Sequence, residues 1–171
     1  MTPTSREIAE HILACYDTIY IVLGESAPSL TTDAYVVRTY ESARAYGELA
    51  LELRARLGDG RVMPLPVLED VLRRAVADDA SGSLVLYAMA MVVGPRLLVS
   101  LLDARNALSG DPELSALFSD ASMVCVRDIR RTGEVAKDQE PIEDPEWLAR
   151  ARALAETFDS AGNAESLGLS R

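Results

Sequence analysis

From Leu84 to Val93 the chain carries no charged side chain and no polar group except the Tyr87 hydroxyl; after Gly94-Pro95-Arg96 it turns apolar again at Leu97, Leu98, Val99, Leu101 and Leu102. A helix at the surface of a globule keeps one polar side for water, so a segment apolar all round has to be enclosed on every side. Its extent, about residues 83–107, is that of a helix, because buried strands run only about 4 to 8 residues. A kink is expected near Gly94, since Pro95 lacks an N–H and its ring clashes with the turn before it. The uninterrupted part covers about eleven residues, short of the roughly 17 to 25 that span a bilayer, and extending it to Leu102 would place Arg96 inside the span. A membrane role is therefore not expected, and this helix four reads as the central, apolar element of a protein core.

The rest of the chain supplies helices to enclose it. Thr4 and Glu7 have the spacing of a capping box, which satisfies backbone N–H groups that a helix start leaves unpaired. Helix one then runs over residues 5–23 with a stripe of Ile8, Ile12, Cys15, Ile19 and Val22, widened by Leu13, Tyr16, Tyr20 and Leu23, and Gly24 is read as its stop. Thr31 or Thr32 caps helix two, which continues to Leu57 before Gly58-Asp59-Gly60. Pro64 and Pro66 open a short helix three with Leu68, Val71, Leu72 and Val76 inward, closed by Asp78 and Asp79. Helices five and six start with the same device, Asp111-Pro112-Glu113 and Asp144-Pro145-Glu146, an N-cap followed by proline where a missing N–H costs nothing. Helix five is expected to end near Thr132 at Gly133; helix six turns Trp147, Leu148, Ala151, Leu154 and Phe158 to one side.

No stretch alternates with period two between turn signals. The fold class is all-α: a bundle of about six helices, four long and two short, forming one domain over residues 1–160 followed by a polar tail, 161–171. A chain of 171 residues with 49% hydrophobic and 26% charged side chains is large and apolar enough to bury such a core unaided.

Helix two has an unusual pattern. Ala43, Gly47 and Ala50 lie between Tyr40 and Leu51 on what is read as its inner face, and small side chains there let a neighbour approach closely. Arg38, Glu41, Arg44, Glu48 and Glu52 recur beside them with mixed sign, as in a solvated ladder of ion pairs.

The formal charge of −10 and pI near 4.6 repel phosphate backbones and anionic headgroups, so nucleic acid is not an expected partner. The two cysteines, Cys15 and Cys125, sit in apolar runs and read as free buried thiols; with no targeting pattern at the N-terminus, a cytoplasmic location is expected. Lys137 is the sole lysine among 17 basic residues, a bias of GC-rich codons that points to a bacterial genome.

Chemistry leaves little trace. Phosphate-binding glycine loops are missing, and with a single histidine and no C-x-x-C or E-x-x-H pair, no metal or other cofactor is expected. His11, one turn after Glu7, could be a carboxylate-oriented base but reads as the edge of the apolar stripe of helix one. Arg127, Arg130 and Arg131 could grip an anion but also complement the dipole at the end of helix five. Arg96, Ser100 and Asp103 share one face of helix four and could anchor a ligand, with Tyr16, Tyr20, Tyr40 and Tyr87 as pocket walls.

These features support a non-catalytic helical protein acting through self-association and protein-partner binding. Two alternatives stand beside it: a small-molecule-binding or enzymatic bundle with its pocket between helices one, two and four, and an acidic inhibitor or immunity-type protein covering a basic target. A homo-oligomer, a dimer, is expected, with helix four at or near the contact because a second copy could cover its apolar circumference.

Overall fold

The computed structural model describes residues 4–58, 65–137 and 144–160. Nine-tenths of these residues are helical, in six helices, and no strand occurs among them. The helices are α1 (Ser5–Ser26), α2 (Asp33–Leu57), α3 (Pro66–Asp78), α4 (Ser83–Ala107), α5 (Pro112–Lys137) and α6 (Pro145–Ser160), with one 3₁₀ turn at Ala27–Ser29. The polar tail 161–171, Pro64, and Asp59-Gly60 lie outside the described residues.

Local chemistry explains most boundaries. Thr4 Oγ1 accepts from Glu7 N at 3.2 Å while the Glu7 carboxylate accepts from Thr4 N at 2.6 Å, completing the capping box. Asp111 Oδ1 accepts from Leu114 N and Asp144 Oδ1 from Glu146 N, so both Asp-Pro-Glu starts work as read. Gly58 closes α2 in the left-handed region at φ 82°. Two glycine stops fail: α1 passes Gly24 and α5 passes Gly133, because a glycine not required to adopt positive φ remains part of a helix that packing holds. Thr32 precedes α2 without a side-chain cap; Thr31 instead ties to the Ala80 carbonyl through its N–H at 2.9 Å and its hydroxyl at 3.2 Å.

Two helix pairs dominate the packing, α1 with α2 and α4 with α5, and α4 touches every other helix. Its Leu84, Val85, Ala88, Val92, Val93, Leu97 and Leu101 are all fully buried or nearly so. Each such Leu or Val contributes about 1.5 to 3 kcal/mol relative to exposure. Most of the cover that α4 requires thus comes from the other five helices of the same chain; Met91, Val99 and Leu102 are its exposed apolar residues. α4 is long and apolar enough to cross a membrane, a criterion that a buried core helix also meets.

The expected kink takes a specific form. Ala88–Val93 is π-helical, and the Gly94 N–H donates to the Met89 carbonyl five residues back. Pro95 can neither donate nor fit over a regular preceding turn, and one wide turn accommodates it without breaking the helix. Gly94 is also where α4 meets α5: a Cβ there would stand 2.6 Å from Ile129 Cγ1.

The rotation of α2 differs from expectation. Its buried residues include Tyr35, Arg38, Thr39, Ser42, Tyr46, Leu49 and Leu53 together with Ala43 and Ala50 of the small-residue stripe, whereas Tyr40 and Leu51 face outward. Burying the aromatic rings of Tyr35 and Tyr46 with Leu49 and Leu53 outweighs the small-residue stripe, which lies at the margin of the buried face.

Candidate functional site

The outward stripe of α2 and the adjoining stripe of α1 enclose an open groove of about 1120 Å³. Asp17, Tyr20, Ile21 and Gly24 recur on α1 at spacings of three and four; Tyr40, Ala43, Arg44, Gly47, Leu51 and Arg54 do so on α2. The floor is made of Ala43, Gly47 and Ala50, so the small residues singled out in sequence do allow a close approach, here to a side chain: a Cβ on Gly47 would sit 2.8 Å from the Tyr20 ring. The walls are large and wet, with Leu51 65%, Tyr20 49%, Tyr40 45% and Ile21 40% exposed. Arg54 donates to Asp17 at 2.5 Å at one end, and Arg44 pairs with Glu48 at 2.8 Å along the rim.

A second, smaller groove of about 490 Å³ lies between α2 and α5. At its floor Arg38 and Asp128 form an ion pair with side chains 4% and 3% exposed, and Ser42 Oγ donates to Asp128 at 2.8 Å. Arg38 is therefore no part of a solvated ladder; it crosses to α5 and also reaches Glu41 and Ser42. Burial raises the Asp128 pKa above the ordinary carboxylate value, against the opposing effects of Arg38, Ser42 and Tyr46. Deeper in, the Tyr46 hydroxyl lies 3.7 Å from Cys125 Sγ, Cys125 donates to the Gly94 carbonyl at 3.5 Å, and Tyr16 stacks at a tilt on Tyr46 with centroids 6.1 Å apart. Burial pushes both thiols, Cys15 and Cys125, up to about 12 and both phenols well above their usual value. All four groups stay protonated at neutral pH, so none is a ready nucleophile or base.

The residues singled out in sequence do not converge. Tyr20 and Tyr40 meet in the α1–α2 groove; Tyr16 is in the core. Tyr87 packs edge-on against Trp147 of α6 with centroids 5.4 Å apart. Arg96 donates to Asp159 at 2.6 Å and to the Val92 carbonyl, with its guanidinium 5.6 Å from the Phe158 ring centre, so it clasps α6. Ser100 is buried and bonds back to the Arg96 carbonyl, and Asp103 and His11 are half-buried on their own helices. Arg130 pairs with Glu134, while Arg127 and Arg131 line the polar groove among Glu41, Glu48, Glu52 and Asp120. Among the described residues no group of three or more His, Cys, Asp or Glu could hold a metal ion.

Sequence reading missed Asp128 and the exposure of Leu51. The signal for Asp128 was its phase, three residues after Cys125 and seven after Ala121 on the buried face of α5. No protein-family model, curated protein or solved structure matches this chain.

Proposed function

We propose that the chain is a non-catalytic helical protein that works by helix-on-helix association with another polypeptide, using the α1–α2 groove. One observation carries this reading: large apolar side chains from two helices, Tyr20, Ile21, Tyr40 and Leu51, stand in water around a floor of Ala and Gly. Tyrosine and aliphatic walls around a close-approach floor are the features that receive an amphipathic helix. The lining carries Arg44 and Arg54 against Asp17, Glu25 and Glu48, a net of −1, while the whole chain carries −10. The preferred occupant is therefore a helix of little net charge. That near-neutrality weighs against an acidic inhibitor covering a basic target, and the openness of the groove weighs against a small-molecule pocket, which encloses most of its ligand.

Fluorescence anisotropy with labelled amphipathic helical peptides of zero net charge tests the reading. Binding is expected to the native chain and to be lost in Leu51→Glu and Tyr40→Glu. No peptide binding, with a small apolar dye saturating the same groove, would overturn it in favour of a small-molecule site.

A further inference from the structure

We infer that the helix the groove receives is α2 of a second copy, laid antiparallel across a two-fold axis at the level of residues 45–46. This rests on the association reading above and names its partner. A two-fold contact requires one surface to hold both projecting and receding positions, and this one does: Leu51 and Tyr40 project beside the groove floor at Ala43 and Ala50. The order of side chains along the stripe is self-complementary in only one direction. Read from the N-terminus it runs Tyr40, Arg44, Glu48, Leu51. Reversed and laid on itself, it sets Tyr40 against the partner's Leu51 and Arg44 against the partner's Glu48, with both pairs centred near residues 45–46. A parallel arrangement would put arginine on arginine and glutamate on glutamate, which charge repulsion disfavours. Tyr20 and Ile21 of α1 flank the crossing on each side, so the contact is a four-helix layer.

Charge also selects the face. With −1 in the groove lining, the other −9 of the chain lies elsewhere, so two acidic copies repel least when these faces meet. The contact is thereby placed on α1 and α2 rather than on α4, most of whose apolar surface is already buried within the chain.

Light scattering coupled to size exclusion, run from low to high micromolar concentration, should give twice the chain mass of 18.5 kDa. Leu51 is 65% exposed, so Leu51→Glu should yield a monomer with unchanged circular dichroism and melting. Arg44 and Glu48 are exposed as well. Arg44→Glu and Glu48→Arg should each weaken dimerisation by more than about tenfold alone, yet form a one-to-one dimer when mixed, because each supplies the charge the other lacks. A native chain that stays monomeric overturns the inference; if neutral helical peptides still bind in a Leu51-dependent way, the association reading stands without it. A dimer insensitive to Leu51→Glu places the contact elsewhere and overturns the inference too. If the two charge variants fail to pair, the antiparallel register is wrong.

Discussion

Arg38 and Asp128 place opposite charges in the interior, where removing each ion from water costs several kcal/mol that their attraction only partly offsets. The pair is thus better read as fixing how α2 meets α5 than as a net source of stability. Asp128→Ala leaves a buried guanidinium without its main partner and should destabilise by about 3 to 5 kcal/mol in urea titration, whereas Arg38→Met with Asp128→Leu should come out near neutral or up to about 4 kcal/mol more stable. Asp79 acts differently. Burial alone would raise its pKa, but the Ser83 and Ser81 hydroxyls and the Leu84 and Ser81 N–H groups together hold it below 3.8. A carboxylate lowered on folding contributes stability that is fully present above the unfolded value and lost as pH falls through the folded one. Asp79→Ala should cost about 0.5 to 2 kcal/mol at neutral pH, as loss of a helix-start cap does, and blunt the loss of stability below about pH 4. Thermal melts across that range check both effects.

At the scale of elements, three helical glycines are expected to respond differently to the same added methyl. At Gly94 the new Cβ would lie 2.5 Å from the Met89 carbonyl oxygen and 2.6 Å from Ile129, both packed in place, so Gly94→Ala should cost about 1 to 3 kcal/mol by overpacking. Gly24 has nothing within 4 Å and sits inside α1, so Gly24→Ala should stabilise by about 0.5 to 1 kcal/mol through helix propensity. Gly47 meets only the half-exposed Tyr20 ring, which can turn aside, and its replacement by Ala should change the melting temperature less than either. Sequence marks Gly47 and the Gly94-Pro95 step as special but does not rank them, because what decides the cost is whether the neighbour across the gap can move.

Across the whole molecule, α6 is held to the α3–α4 side by a few identifiable contacts. Trp147 Nε1 donates to Ser83 Oγ at 2.8 Å, Arg96 reaches Asp159 and Phe158, and Ala151, Leu154 and Phe158 are buried. Trp147 is the only tryptophan, so its fluorescence reports the contact between α6 and α4. Arg96→Ala should weaken that docking by about 1 to 2 kcal/mol, so that the fluorescence transition in urea precedes the loss of helical circular dichroism. The number of helices, the capped starts of α1, α5 and α6, most of the buried faces of α1, α3, α5 and α6, and the central place of α4 were legible in sequence, whereas Tyr20 and Leu148, read as inward, turn to water and Asp128 turns inward unread. Caps and apolar periodicity act between residues three to seven apart, and any window of the chain contains them. The tertiary structure alone decided that α2 turns Arg38 inward and Leu51 outward, that Arg96 serves α6, and that a groove opens between α1 and α2. Arg38 and Asp128 are 90 residues apart. Their meeting depends on the rotation and crossing of packed helices, where burial of Tyr35, Tyr46 and Leu53 outweighs the local pattern of charges.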